Sequence, residues 1–259
     1  MKTFKTRLMM KTQLMHLVPR SLFLFFFIAF FAIDLSAQSQ SDQQVLIFSK
    51  TEGFRHSSIE TGTKALQQLA SNEGINTRHT EDSRYFHPDS LSSYNAVIFL
   101  NTTGNVLNDS QEEAFEQYIQ NGGGFLGIHS AADTEYEWSW YGDLVGAYFV
   151  SHPHIQKATI DVVDQSHRAT SFLPKEWKRT DEWYNYKSIS KEINVLMELD
   201  ESSYEGGENG DFHPIAWYHE FDGGRAFYTG GGHTEESYSE DLFMDHLREA
   251  LYYVIGDKE

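Results

Sequence analysis

Apolar and polar positions alternate between two rhythms along the first half of the chain. Val45-Leu46-Ile47-Phe48 is an unbroken apolar run with β-branched members, the pattern of a buried strand. The polar stretch TEGFRHSS follows, and then Ile59, Ala65, Leu66, Leu69 and Ala70 share one face of a helix over roughly 58–72, with Gly74 placed to end it. Residues 75–80 read as a second strand and 96–100 (AVIFL) as a third buried one, which runs into the polar loop NTTGNVLND. Ser110 and Glu113 have capping-box spacing, so the next helix is expected from there to about Gln120, stopped at Asn121-Gly122. A strand over 125–128 then leads to His129. Strand, helix, strand, helix, strand with short connections predicts a parallel sheet covered on both faces, with functional loops at the carboxyl ends of its strands. His56, Asn101 and His129 each follow an expected strand, which would bring them to one rim.

The second half has a shorter period. Residues 155–163 and 193–199 read as strands, and 214–228 as a hairpin turning at Asp222-Gly223-Gly224. A last helix is expected over 239–254, with Leu242, Phe243, Leu247, Leu251 and Val254 inward. No repeat, low-complexity tract or linker divides residues 38–259, so one domain is expected.

The N-terminus reads as an address. Residues 1–20 are basic, 21–33 (SLFLFFFIAFFAI) are almost wholly apolar, and Leu35-Ser36-Ala37 supplies small residues before a polar QSQSDQQ. That is the plan of a cleavable signal peptide over 1–37. Its 13-residue apolar run is shorter than the roughly 20 residues needed to span a bilayer. The expectation is a periplasmic or secreted protein with no membrane attachment after cleavage.

Composition narrows the chemistry. Without residues 1–37 the chain holds 15 Lys and Arg against 37 Asp and Glu, a formal charge of −22, so phosphate backbones and anionic headgroups are poor partners. It has no cysteine, which excludes disulfides, thiolate metal sites, iron–sulfur clusters, a cysteine nucleophile and a lipid-anchored N-terminal cysteine. It also lacks a phosphate-binding P-loop, a Gly-x-Gly-x-x-Gly after a strand, His-Glu-x-x-His and a Gly-x-Ser-x-Gly elbow. Histidines and carboxylates are left to carry any reaction.

Four segments concentrate them. In GGGFLGIH129SAA, small residues flank His129 at a strand end, as in a nucleophile elbow that presents its central side chain; imidazole there suits acid/base work or metal binding. The plainer reading is a buried histidine satisfied by backbone. His152-Pro153-His154 places two imidazoles on one face of an extended segment, a pair that can hold Zn²⁺ or a similar ion given a third ligand, or that simply sits on the surface. Asp181-Glu182-Trp183-Tyr184 joins two carboxylates to two aromatics; on an extended stretch the acids face opposite ways, so only one can enter a given pocket, unless the segment is a solvated acidic loop. Gly230-Gly-Gly-His233 sets a histidine on a glycine turn where backbone can approach a ligand. All five tryptophans lie in the second half, where they suit sugar rings or core packing equally well, with Trp217 better read as core.

Taken in order, VLIFSKTEGFRH56, GGGFLGIH129SAAD, the His-Pro at 152–153, DEWY184 and HPIAWYHEFDGGRAFYTGGGH233 resemble the ThuA-like (trehalose utilisation) family across about 45–255. The resemblance implies an α/β, flavodoxin-like three-layer sandwich with a mostly parallel central sheet and added β-hairpins, similar to class I glutamine amidotransferases. Those relatives carry a cysteine nucleophile at the elbow; His129 stands there instead, which excludes amidotransferase chemistry. The resemblance further implies a small-molecule carbohydrate substrate, a disaccharide or 3-keto-sugar. The expected site has His129, Glu182 and His233 as reacting groups, and His56, Asn101, Trp183 and Tyr184 around the substrate. A divalent ion such as zinc is expected on His129, His152 and His233, if the chemistry is metal-assisted rather than imidazole acid/base. A non-catalytic carbohydrate-binding protein and a metal-dependent hydrolase are the alternatives.

Overall fold

Strand β1 (Gln44–Phe48) has Val45, Leu46, Ile47 and Phe48 fully buried in the computed structural model, which describes residues 43–256. The expected signal peptide over 1–37 lies outside the described residues. Buried runs of this kind arise where both faces of a parallel sheet are covered, so neither face needs polar side chains. Helix α1 (Ser58–Asn72) and β2 (Asn76–Thr80) follow, then the single turn α2 (Pro88–Leu91), β3 (Ala96–Leu100), α3 (Asp109–Gln120) and β4 (Gly124–Ile128). The α3 capping box lies two residues before the expected one. Asn108 Oδ1 accepts from the Gln111 amide at 3.1 Å, and Gln111 Oε1 accepts from the Asn108 amide at 3.0 Å. Asn-x-x-Gln satisfies the same spacing as Ser-x-x-Glu, and the earlier pair captures the helix start.

After β4 come α4 (Ser139–Val145), β5 (Tyr148–Ser151), β6 (Gln156–Val162), β7 (Glu176–Asp181), β8 (Asn185–Lys187), β9 (Asn194–Asp200), β10 (Pro214–Phe221), β11 (Gly224–Thr229) and α5 (Asp241–Ile255). The main sheet has nine strands in the order β2-β1-β3-β4-β11-β10-β9-β6-β7, and β5 pairs with β8 apart from it. The pairings from β2 to β11 are all parallel, and those from β11 to β7 all antiparallel. Helices α1 and α5 pack on each other and on β3. On the opposite side of β3, Phe99 stacks on Phe115 of α3 and leans on Tyr141 of α4, completing three layers.

The antiparallel half bends. β7 is four strands along from β11, about 19 Å across a flat sheet. Yet Asp181 at the end of β7 reaches the Gly232 amide, just past β11, at 2.8 Å. Register shifts on β10 at Pro214, Ala216 and Trp217 add the local twist that lets these strands curl back over the carboxyl edge of the parallel half.

Candidate functional site

Parallel strands deliver three histidines to one edge. Asn101 and His129 directly follow the paired residues Leu100 and Ile128 on β3 and β4, and both have φ +49°. A non-glycine residue rarely takes this left-handed conformation, and two on adjacent strand ends concentrate strain where the sheet opens. The tight turn expected at His129 is therefore present. Its side chain, however, turns inward and is fully buried rather than presented to solvent. His56 follows β1, and His233 follows β11 on the glycine turn. The rings of His56, His129 and His233 stand nearly perpendicular to one another at 5.0–5.1 Å between centres.

Glu182 comes from the curled half and closes the cluster. His129 Nε2, Glu182 Oε2 and His233 Nδ1 form a triangle with sides of 3.4 Å (His129–Glu182), 3.0 Å (Glu182–His233) and 3.2 Å (His129–His233). With His56 included, one ligand atom from each of the four residues lies within 4.8 Å of every other. His129 Nδ1 donates to the Gly230 carbonyl at 2.9 Å, so in the neutral ring Nε2 bears a lone pair. That lone pair faces a carboxylate oxygen, and two acceptors at such a distance need a cation or a donated proton between them. Burial, with help from His129 and His233, pushes the His56 imidazole down to about 2, which keeps it neutral. Burial alone would raise the Glu182 carboxyl, but the positive charge and hydrogen bonds that His129 and His233 offer when protonated prevail and hold it far below the usual carboxylate range.

The donor set fits a divalent ion. Four ligands at about 2.0–2.1 Å from a tetrahedral zinc stand about 3.3–3.4 Å apart, close to the three sides of the triangle. Histidine ligands usually give their second ring nitrogen to an oxygen acceptor, as His129 does to Gly230.

Asp181 does not enter the cluster but builds it. Alternation along the strand turns its side chain away from that of Glu182, and it is fully buried. Oδ1 accepts from the Glu182 amide at 3.0 Å and the His233 amide at 3.1 Å, while Oδ2 accepts from the Gly232 amide at 2.8 Å and Ser237 Oγ at 2.9 Å. One carboxylate thus fixes the backbones of two cluster members from different strands. Arg179, buried on β7, pairs with it at 3.3 Å and with Glu240 at 3.0 Å. The sequence offered Asp181 only as the carboxylate facing away from Glu182, and it did not point to Arg179. The available signal was the alternation in EWKRTD, whose inward positions carry Trp177, Arg179 and Asp181.

Six residues are placed differently from expectation. His152 is not in the close group: its Nδ1 meets the other Glu182 oxygen, Oε1, at 3.0 Å, and its ring is half-exposed. His56 stands in the close group in its place. His154, its expected companion, is exposed and outside the cluster, so the His-Pro-His pair does not act as a unit. Trp183 offers no stacking wall, being fully buried with Nε1 donating to the Gln156 carbonyl at 2.9 Å. Tyr184 is buried too, its ring 4.1 Å behind that of His129, where it supports the imidazole instead of facing a substrate. Asn101 is buried as well. Its Nδ2 donates to Ser58 Oγ at 2.9 Å and the Gly232 carbonyl at 3.1 Å, bracing the His233 turn.

Comparison with known proteins agrees with this architecture. The solved structure of a ThuA-like protein from Bacteroides uniformis superposes with a TM-score of 0.72 at 24% identity, over 84% of this chain and 93% of that one. A second, from Parabacteroides merdae, gives 0.68 at 16% identity over 84% and 92%. A β-galactosidase from Bacillus circulans shares the fold over 83% of this chain but only 31% of its own, with a TM-score of 0.56 and 14% identity. A search of curated proteins gave no match. The model of the ThuA family, described as trehalose utilisation, matches residues 44–254, and the chain belongs to that family.

Proposed function

We propose that this protein is an exported enzyme acting on a carbohydrate, a disaccharide or its 3-keto derivative, with a divalent ion held by His56, His129, Glu182 and His233. The observation that carries this reading is the buried triangle of His129 Nε2, Glu182 Oε2 and His233 Nδ1, in which a lone pair faces a carboxylate. When bound, the ion supplies Lewis acidity toward a sugar carbonyl or hydroxyl oxygen.

The chain's own residues prepare the site. Gly230 holds His129 in one tautomer, and the Tyr184 ring fixes the plane of its imidazole. Asp181 sets the spacing of Glu182 and His233. His152 occupies Glu182 Oε1, which commits Oε2 to the histidines. With His129 and His56 buried, a substrate arrives from the side of His233 and His152, the more open members. The carbohydrate part rests on family membership together with this histidine and carboxylate chemistry.

The test is elemental mass spectrometry on the untagged protein, paired with turnover of a disaccharide and 3-keto-sugar panel followed by NMR. About one equivalent of a transition metal is expected, lost on chelation together with activity. His129→Ala should bind no metal and turn over at least about 10²-fold more slowly while keeping its fold. A chain that stays metal-free after soaking with Zn²⁺, Mn²⁺ and Ni²⁺ would remove the metal from the reading. Unchanged kinetics in His129→Ala would remove the enzyme.

A further inference from the structure

We propose that Phe54 and Phe149 form the two ends of a substrate-facing wall of this site, each offering its ring to the apolar C–H face of a pyranose. The assignment rests on the carbohydrate reading above and specifies how such a substrate is held.

Phe54 is the most exposed large apolar side chain among the described residues, at 66% of its surface. Single exposed apolar residues are common and by themselves mean little. Position and rigidity set this one apart. Its ring packs edge-on against that of the buried His56 at 4.9 Å, one step from the cluster. The segment carrying it is pinned. Thr51 bridges to Thr103, the Glu52 amide donates to the Thr103 carbonyl at 2.8 Å, and Thr103 Oγ1 donates to the Phe54 carbonyl at 2.9 Å. Gly53 lies so close to Thr103 that a Cβ there would stand 3.3 Å from its Oγ1. The phenyl ring is thus held out in water by a fixed backbone, although the hydrophobic effect favours folding it inward.

Phe149 sits at the other end of the same run of contacts. Its half-buried ring lies 5.9 Å from that of His152 and 4.2 Å from that of Tyr184. From Phe54 the contacts pass through His56 to His129 and His233, on to Glu182, and out through His152 to Phe149. A buried polar centre with an aromatic ring at each end suits a ligand that has hydroxyls in one direction and a patch of C–H bonds in another. A pyranose has both; an acyclic polyol has the hydroxyls without the flat C–H face. This wall takes the part that sequence reasoning had given to Trp183 and Tyr184.

Saturation-transfer NMR and calorimetric titration with trehalose, methyl α-glucopyranoside and mannitol test the assignment on the metal-loaded protein. The wild type should transfer saturation from aromatic protons to the ring C–H protons of the two pyranosides and bind mannitol far more weakly. Phe54→Ala should lose about tenfold or more in pyranoside affinity, Phe149→Ala somewhat less, and Phe54→Trp should keep or improve it. Metal content and urea midpoint should match the wild type for both Phe54 variants, because that side chain is exposed. If the pyranosides bind the wild type and Phe54→Ala equally well, the wall is wrong and the carbohydrate reading stands. If the metal-loaded wild type binds neither pyranoside, the carbohydrate reading falls and the wall with it.

Discussion

The parallel and antiparallel halves of the sheet reach the same site by different physics. In the parallel half, β1, β3 and β4 are apolar apart from Gln44 at the start of β1, and the fold follows from burying them. The polar residues come after the strands, so His56, Asn101 and His129 arrive at the edge as a by-product of topology. In the antiparallel half, β7 turns Arg179 and Asp181 inward, and a buried ion pair does the work that packing does elsewhere. Glu182 is delivered by that polar network and by the curl of β10. A core built on burial tolerates small positional errors. A carboxylate that must place two backbone amides at 3.0 and 3.1 Å does not. The parallel half should therefore govern stability and the antiparallel half site geometry.

The largest expected effect tests the first part of that contrast. Phe99 on β3 is fully buried against Phe48, Phe115, Phe125 and Tyr141. Phe99→Ala should cost about 3–5 kcal/mol in urea unfolding, because the cavity falls where several rings meet. Metal affinity of the fraction still folded should be close to normal. A small stability loss with a large metal defect would invert the contrast.

Asp181→Asn comes next and probes the other half. Asparagine keeps the shape but has one acceptor oxygen in place of two and leaves Glu240 as the one carboxylate paired with Arg179. Stability should drop by about 1–3 kcal/mol. Metal affinity should fall about 10–100-fold, the usual penalty for disturbing groups that orient ligands. Asp181→Glu, which keeps the charge but shifts the oxygens, should restore stability better than affinity. If the two properties recover in step, Asp181 is only a structural ion-pair partner and not a positioning residue.

The same contrast explains what the sequence revealed. The expected strands and helices of the parallel half lie within a residue or two of their predicted bounds, since runs such as AVIFL and the 58–72 periodicity admit one reading, while the short α2 and α4 were not expected. β7 is not legible because two of its three buried positions carry charge, so hydrophobic periodicity could not reveal it. β5 and β8 are too short, at four and three residues, to show a period. Histidines after strands were legible as rim residues. The partnership of Glu182 with them was legible only as one of two carboxylates, because the curl that joins them depends on pairings distant in sequence. For Trp183 composition cannot tell a core indole from a binding one; its full burial and its bond to the Gln156 carbonyl do so.

Glu135 offers the smallest effect and the sharpest control, as a buried carboxyl of the parallel half that has no arginine like that of Asp181. Its Oε1 accepts from the Val106 and Leu107 amides, each at 2.8 Å, and ties the segment after β4 to the loop after β3. Burial pushes its carboxyl up to about 7 from 4.5, against the pull of those two amides. The folded state therefore binds this proton more tightly than the unfolded state. The contribution of this group to stability should be greatest below about pH 4.5, decline as pH rises toward 7, and level off above. Glutamine in this place keeps an acceptor for both amides and carries no charge at any pH. Glu135→Gln should match the wild type near pH 4 and exceed it by about 1–3 kcal/mol at pH 8, a range reduced for residual solvation. Urea unfolding at pH 4, 6 and 8 checks this, and a constant offset between the two proteins would show that Glu135 is ionised throughout. The corresponding change at Asp181 should lower stability at neutral pH, because there the carboxylate is paired. Opposite signs from two buried acids, each accepting backbone amides, would place the difference in the cation beside them.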